Sequence, residues 1–143
     1  MGCFFTSNQK QVLIFRFNAC LNSIGMKKVK LVLGVIGSRS FSDWEKLLME
    51  LEEYLPFVKT VVSGGASGAD RLAERWAEKN GLDVVLYLPD FSRYGRGAYR
   101  ERNKKIVEVS DFVVAVWDGR SKGTKMTLDY CKFYEKSYRI ITV

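Results

Sequence analysis

The chain reads Ser63-Gly64-Gly65-Ala66-Ser67-Gly68-Ala69-Asp70 between an apolar, β-branched run and a helical pattern that begins near Arg71. Three glycines at a strand-to-helix junction let the backbone approach a group outside the chain, and the first turn of a helix presents unpaired N–H groups that suit a phosphate. Asp70 stands where a carboxylate caps the helix or accepts a hydrogen bond from a ribose hydroxyl. An ordinary glycine-rich turn with an Asp cap explains the same pattern, so the flanking sequence decides between them.

Strand and helix signals alternate regularly on both sides of this glycine loop (residues 63–70). Five apolar runs predict strands at residues 29–36, 58–62, 83–88, 112–117 and 138–143. Their alternation with helical patterns predicts an α/β fold, a Rossmann-like three-layer sandwich whose five-stranded parallel sheet has the order 3-2-1-4-5. In such sheets ligands bind beyond the carboxyl ends of the strands, where the strand order reverses.

Four unusual loops fall at that edge of the predicted sheet, at residues 37–41, 63–70, 89–97 and 118–124. Arg39 carries a guanidinium that matches a phosphate with two parallel hydrogen bonds. Gly123 and Thr124 open the last helix, whose amides can hold a second anionic group. The sequence contains neither a Walker loop nor the dinucleotide motif Gly-x-Gly-x-x-Gly. The convergence of these loops therefore predicts an anion site without the lysine of a nucleoside triphosphatase.

Aromatic and polar side chains near the same edge are open to two interpretations. Arg102 and Asn103 stand early in the helix that begins near residue 98, from which they either reach over the site or face solvent. Aromatic residues near the strand ends either stack on a base or pack within the fold, and they are Phe91, Tyr94, Tyr99 and Trp117.

The composition is that of one ordinary domain. The chain has 143 residues, 47% of them hydrophobic. No run approaches the roughly 18 apolar residues of a membrane span, so no transmembrane segment is predicted. The formal charge of +7, from 23 Lys and Arg against 16 Asp and Glu, is a modest basic bias. This bias is compatible with an anionic small ligand and with a weak nucleic-acid contact, and it does not distinguish between them.

Histidine is absent, which excludes Ser-His and Cys-His nucleophile pairs and every metal site that needs histidine. The three cysteines, Cys3, Cys20 and Cys131, are scattered along the chain and signal neither a disulfide framework nor a zinc site. We therefore expect no metal, no cofactor and a reducing, cytoplasmic location.

Residues 1–25 differ from the rest of the chain. They contain Lys10 and Arg16 but no acidic residue, and their first residues match an N-myristoylation signal with Cys3 available for palmitoylation. Because Met26 directly precedes the first predicted strand, we favour a second interpretation, in which these residues are an upstream extension. We expect that extension to be poorly ordered and residues 26–143 to form the domain.

Four motifs stand in order along residues 29–143. They are Gly34-Val35-Ile36-Gly37-Ser38-Arg39, the glycine loop, Tyr99 with Arg102 and Asn103, and Trp117-Asp118-Gly119 followed by Ser121, Gly123 and Thr124. Together they resemble the SLOG superfamily, in particular its YspA-like branch, which is related to YpsA. The resemblance implies a Rossmann-like domain that binds or senses a nucleotide-derived ligand, a nucleotide or a molecule of the ADP-ribose type. The candidate ligand-binding residues are Gly37, Ser38, Arg39, Ser63, Gly64, Gly65, Gly68, Ala69, Asp70, Arg102, Asn103, Asp118, Gly119, Ser121, Gly123 and Thr124.

Two relatives implied by the resemblance suggest other functions. The lysine-decarboxylase-like phosphoribohydrolases cleave the N-glycosidic bond of nucleoside 5′-monophosphates and carry a catalytic glutamate where this chain has Thr127. If this chain is such a hydrolase, the candidate catalytic acids are Asp70 and Asp118. Without that glutamate and without histidine, we favour binding over turnover. The other relative is DNA-processing protein A, whose glycine loop is similar to that of this chain and which implies single-stranded nucleic-acid binding.

The charge pattern favours a small ligand. Acidic residues interleave with the arginines of the predicted helices, which is typical of a solvated helix face and not of a phosphate track. Arginines free of acidic neighbours stand on the loop edge, and these are Arg39, Arg93, Arg96 and Arg120. We therefore expect a compact, multiply charged molecule as the partner and do not expect a nucleic acid. A homo-oligomer is left open.

Overall fold

The central strand, β1, lies in a five-stranded parallel sheet in the computed structural model, which describes residues 30–143. The strands are β1 (Leu31–Gly37), β2 (Val58–Ser63), β3 (Asp83–Leu86), β4 (Phe112–Trp117) and β5 (Ser137–Thr142). Their order across the sheet is β3-β2-β1-β4-β5, and every neighbouring pair is parallel. The predicted order is thereby confirmed.

Helices cover both faces of the sheet. They are α1 (Trp44–Glu52), α2 (Ala69–Lys79), α3 (Phe91–Tyr94), α4 (Ala98–Val109) and α5 (Lys122–Phe133), with short 3-10 turns at Leu55–Phe57 and Gly95–Gly97. One core, with Leu47 and Trp76, packs α1 and α2 on one face of the sheet. A second core, with Ile106 and Leu128, packs α4 and α5 on the other. The three-layer α/β sandwich expected from the sequence is present.

Element ends differ from the sequence prediction where side chains cap helices. The predicted loop at residues 89–97 contains α3, because Asp90 Oδ1 accepts a hydrogen bond from the backbone N–H of Arg93 at 3.1 Å. Helix α5 begins at Lys122, inside the predicted loop at residues 118–124, because the Ser121 hydroxyl caps it by accepting from Thr124 N at 3.4 Å. The predicted extension at residues 1–25 lies outside the described residues and stays a prediction.

The loops after β1 and β4 begin side by side. Gly37 is in register with Val116, and the backbone N–H of Ser38 donates to Val116 O at 3.0 Å. A Cβ at Gly37 would collide with the Val116 backbone, so a glycine is required for this approach. The adjacency of β1 and β4 places the start of the two loops at the carboxyl edge of the sheet. Within residues 30–143, no helix is long and apolar enough to cross a membrane.

Candidate functional site

A cavity of about 500 Å³ opens at the carboxyl edge of the sheet, among the loop after β1, the glycine loop and the first turns of α4 and α5. Nine residues predicted from the sequence line it: Gly37, Ser38, Arg39, Asp70, Arg102, Asn103, Ser121, Gly123 and Thr124. The structure thus brings together residues from three of the four loops and from the start of α4.

Two more predicted residues, Gly64 and Gly65, line a smaller cavity of about 240 Å³ next to the first. Arg39 and Arg102 line both cavities, so the two spaces adjoin at these side chains. Five predicted residues line neither cavity: Ser63, Gly68, Ala69, Asp118 and Gly119.

Asp118, a candidate catalytic acid, is used locally in its own turn. Its Oδ1 accepts hydrogen bonds from the backbone N–H groups of Arg120 and Ser121, each at 2.8 Å. These two hydrogen bonds hold the pKa of Asp118 below its usual value, and the bond from Ser121 has the larger effect. The side chain is exposed and caps the turn before α5, which keeps it out of the cavity lining.

Several lining residues were not predicted, among them Ser40, Ala66 and Met126. Thr127, considered only as the position of a missing glutamate, also lines the cavity and donates to Gly123 O at 3.0 Å. A helix whose first turn opens into a site presents the residues three and four positions later on the same side. This spacing from Gly123 is the signal that could have indicated Met126 and Thr127.

Two guanidinium groups flank the Tyr99 ring. The Cζ atom of Arg39 lies 5.3 Å from the ring centroid and that of Arg102 lies 5.5 Å from it, both within cation–π range. In the part of the chain that the structure describes, neither arginine forms an ion pair within 4.0 Å. Two like charges are therefore held close together without a direct acidic partner, which favours the approach of an anion.

Arg102 is fixed in place by the chain itself. Its Nη1 donates to Gly64 O at 2.6 Å, and its Nε donates to Asn103 Oδ1 at 2.7 Å. Burial lowers the pKa of Arg102 and the nearby Arg39 acts in the same direction, whereas Asp70 opposes them. The Arg102 guanidinium is thus oriented in advance, while that of Arg39 makes no hydrogen bond among the described residues.

Asp70 turns its carboxylate back into the glycine loop. Its Oδ2 accepts from the backbone N–H of Gly64 at 3.1 Å and from that of Ala66 at 3.3 Å. Burial raises the pKa of Asp70 to about 6, although these two hydrogen bonds and the charge of Arg102 act against the rise. The two amides that the sequence pattern offers to a phosphate are therefore already engaged by a carboxylate.

The glycines of this loop make room for neighbours within the chain. A Cβ at Gly64 would stand 2.7 Å from Arg102 Cζ and 2.9 Å from Asp70 Oδ2. Gly68 has a φ of +79°, and a Cβ there would collide with the backbone of Ser38 and Arg39. The expected close approach is real, but the approaching groups are an internal arginine, an internal carboxylate and the loop after β1.

A second buried carboxylate supports the same loop from one turn further along α2. The Ser63 hydroxyl donates to Glu74 Oε1 at 2.7 Å and accepts from the backbone N–H of Gly65 at 3.1 Å. Asp70 and Glu74 are four residues apart and so lie on the same side of the helix. Together they hold three consecutive amides of the loop, those of Gly64, Gly65 and Ala66.

Asp70 is the one acidic residue in the lining of the larger cavity. Thr127, at the position of the phosphoribohydrolase glutamate, is buried and bonded to its own helix. Across residues 30–143, no cluster of three acidic or cysteine side chains could hold a metal ion. The arrangement can bind an anion and hydroxyl groups, and it contains a single carboxylate for acid–base chemistry.

Comparisons with known proteins bear on both the sequence and the fold. The sequence profile of the YspA, cpYpsA-related SLOG family matches residues 32–94. The gene 61 protein of Mycobacterium phage D29 is 37% identical to this chain over 101 residues, which are 64% of this chain and 80% of that protein.

Two solved structures of DNA processing protein A have a similar fold. That from Streptococcus pneumoniae gives a TM-score of 0.66 at 17% identity, covering 78% of this chain and 50% of that one. That from Helicobacter pylori, described for its single-stranded DNA binding mode, gives a TM-score of 0.59 at 20% identity over 77% of this chain. This chain spans 50% and 64% of the length of these two chains, and the likeness is one of fold.

The expectation that nucleic acid is not a partner is wrong. A protein with this fold is described as binding single-stranded DNA, and this finding overturns the argument from charge. That argument considered the alternation of charges along helices, although loops can also form a strand-binding surface. At the carboxyl edge, exposed Phe91, Tyr94 and Tyr99 stand with arginines, and the sequence pattern did not predict that combination as one surface.

Proposed function

Because this chain belongs to the YspA, cpYpsA-related SLOG family, we propose that it binds a nucleotide-derived ligand in the cavity at the carboxyl edge of its sheet. The ligand is a nucleotide or a molecule of the ADP-ribose type. The observation that carries this proposal is the pair of guanidinium groups, Arg39 and Arg102, beside the Tyr99 ring in the lining of the cavity.

The charges around the cavity support a phosphate-bearing ligand. Arg39 and Arg102 lack ion-pair partners among the residues described, and an arginine binds a phosphate with two parallel hydrogen bonds. Helix α5 has 12 residues, and Gly123 and Thr124 in its first turn line the same cavity. A helix N-terminus carries a partial positive charge, so one ligand can contact both cationic regions.

Isothermal titration calorimetry with AMP and ADP-ribose tests this proposal. Arg39→Gln removes a guanidinium that makes no hydrogen bond within residues 30–143, and we expect it to weaken binding about tenfold or more, since hydrogen bonds to charged groups contribute ~1.5–3 kcal/mol. The matched control is Arg96→Gln, which makes the same change at an exposed position that lines neither cavity. Equal losses in the two variants, or binding by neither nucleotide in the wild type, would reject the proposal.

A second candidate function is single-stranded DNA binding at the same edge. A specific observation favours it, namely that Phe91, Tyr94 and Tyr99 are 53%, 41% and 42% exposed. The Cζ atom of Arg93 lies 5.2 Å from the centroid of the Tyr94 ring, and Phe91 packs edge-on against Tyr99. Exposed aromatic rings beside arginines are the components of a surface on which successive bases stack. The fold shared with DNA processing protein A supports this candidate as well.

A further inference from the structure

Two buried side chains in the cavity each leave one polar atom without a hydrogen-bond partner among the described residues. The atoms are Oδ1 of Asp70, a residue 4% exposed, and Nδ2 of Asn103, a residue 9% exposed. Both side chains line the cavity. A ligand that fills the cavity cuts these two atoms off from water, so it must supply a hydrogen-bond partner for each of them.

The bonds that each side chain already makes fix the direction of its free group. Asp70 keeps Oδ2 on the Gly64 and Ala66 amides, so Oδ1 is left as an acceptor. Asn103 keeps Oδ1 on the Nε of Arg102, so its amide NH₂ is left as a donor. The cavity therefore offers a carboxylate acceptor and an amide donor, both held in place before any ligand binds.

The chemistry of this pair selects among the parts of a nucleotide. A phosphate monoester is mostly dianionic at pH 7, so the Asp70 carboxylate repels it. A hydroxyl both donates and accepts, so two neighbouring sugar hydroxyls can serve an acceptor and a donor together. The sugar of a 5′-nucleotide is joined to the phosphate, and Arg102, which bonds Asn103, is one of the two cationic groups proposed to hold that phosphate.

Building on the proposed function, we propose that Asp70 and Asn103 form a ribose subsite and that the ligand is a ribonucleotide. One of the two vicinal hydroxyls donates to Asp70 Oδ1, and the other accepts from Asn103 Nδ2. A 2′-deoxyribonucleotide offers only one of these hydroxyls and leaves one buried group unpaired.

Calorimetry with AMP, GMP, CMP and UMP against dAMP, dGMP, dCMP and dUMP tests this subsite whichever base the cavity prefers. We expect each ribonucleotide that binds to bind about tenfold or more tightly than its deoxy counterpart, because the missing hydroxyl leaves one of the two polar atoms without a partner. Equal affinities within every pair would overturn the ribose assignment and leave nucleotide binding standing. If none of the eight nucleotides binds, the ribonucleotide assignment is overturned, and the proposed function falls with it only if ADP-ribose does not bind either.

Asp70→Asn changes the free oxygen while keeping the loop in place. The amide oxygen of the new side chain can accept from Gly64 and Ala66, and its NH₂ then replaces Oδ1 in the cavity. We expect ribonucleotides to bind this variant less tightly, because the hydroxyl that donated to a carboxylate must turn and accept from a neutral amide, which is a weaker hydrogen bond. Asp118→Asn makes the same chemical change at an exposed turn outside the cavity and should keep the wild-type affinity.

Asn103→Asp provides a second variant that does not alter the glycine loop. A carboxylate at this position can still accept from Arg102 Nε, but it no longer donates to the ligand. We expect the ribonucleotide affinity to fall, because the hydroxyl that accepted from Asn103 must turn and donate instead, and the new carboxylate repels the phosphate of the ligand. Ribonucleotide affinities equal to the wild-type values in both Asp70→Asn and Asn103→Asp would overturn the assignment.

Discussion

The Oδ2 atom of Asp70 lies 3.1 Å from the backbone nitrogen of Gly64. This contact makes the glycine loop part of the protein's own hydrogen-bond network, since a carboxylate occupies the amides that would otherwise face a ligand. The proposed anion site at this edge then consists of Arg39, Arg102 and the first turn of α5. The contact also couples the shape of the loop to the protonation of one buried acid.

Asp70→Asn should change how the stability of the fold depends on pH. Burial raises the pKa of Asp70 from 3.8 to about 6, so between these values the folded state binds more protons than the unfolded state. The contribution of Asp70 to the free energy of unfolding therefore falls as pH rises from 4 to 6. We expect the variant to gain up to ~3 kcal/mol relative to the wild type across this window, because a tenfold change in the proton-binding constant corresponds to ~1.4 kcal/mol. Urea denaturation at several pH values measures this difference.

Asp118→Asn is the control for that experiment, and we expect its effect on the free energy of unfolding to have the opposite sign. Hydrogen bonds from the backbone N–H groups of Ser121 and Arg120 lower the pKa of Asp118. The ionised form stabilises the fold above the unfolded pKa, and this contribution is lost as pH falls. The Asp118→Asn protein should therefore lose stability at neutral pH and approach the wild type in acid. Parallel profiles of the wild type and Asp70→Asn would show that Asp70 titrates normally.

Gly68→Ala should destabilise the fold far more than Gly119→Ala. The two glycines have nearly the same φ, +79° and +78°, but a Cβ at Gly68 would collide with the backbone of Ser38 and Arg39, whereas the space around Gly119 is open. Backbone strain of this kind costs ~1–3 kcal/mol, and the collision adds to it at Gly68 only. Thermal unfolding measures the difference, and equal melting temperatures would mean that the contact between the glycine loop and the loop after β1 is not tight.

The sequence predicted the sheet well because the information is local and repeated. Each strand is an apolar run bounded by turn residues, and the alternation of strands with helices leaves few topologies for the sheet. For the same reason, the convergence of the loops at one edge followed directly from the parallel order. Nine of the residues predicted from the sequence line one cavity.

The sequence could not predict what fills the space beside each glycine. Glycine indicates that a Cβ is excluded but not which group excludes it, and at Gly64 that group is Arg102, 38 residues further along the chain. Asp118 lies outside the cavity lining for a different reason, since a short acidic side chain can bond its own turn as easily as a ligand. Such choices depend on packing between distant elements, which periodicity does not encode.

Incubation with AMP, GMP or CMP should release no free base. Hydrolysis of a glycosidic bond commonly uses two carboxylates, one as an acid and one as a base or nucleophile. The cavity lining has one, Asp70, and half of that carboxylate is bonded to the glycine loop. Chromatography of the reaction mixture detects the base, with a known phosphoribohydrolase as the positive control. Base release that disappears in Asp70→Asn would identify the chain as a hydrolase with Asp70 as its catalytic acid.

Phe91→Ala separates the two candidate functions. Phe91 is 53% exposed and packs edge-on against Tyr99 at a centroid distance of 5.2 Å, but it does not line the larger cavity. If single-stranded DNA stacks on these rings, its loss should weaken oligonucleotide binding by ~1–3 kcal/mol and leave mononucleotide binding nearly unchanged. Fluorescence anisotropy with a labelled oligonucleotide measures oligonucleotide binding, and calorimetry measures mononucleotide binding.

Phe133→Ala is the matched control, because Phe133 is 77% exposed and also packs edge-on against a tyrosine, Tyr134, at 5.0 Å. It lies at the end of α5, away from the loops of the carboxyl edge, so its removal should leave oligonucleotide binding unchanged. Binding through several phosphates also weakens steeply between about 50 and 200 mM salt. A loss of affinity in Phe91→Ala but not in Phe133→Ala, with the steep salt dependence kept in both variants, would place a strand on the aromatic surface. Displacement of the oligonucleotide by AMP would instead show that both ligands use the cavity of Arg39 and Arg102.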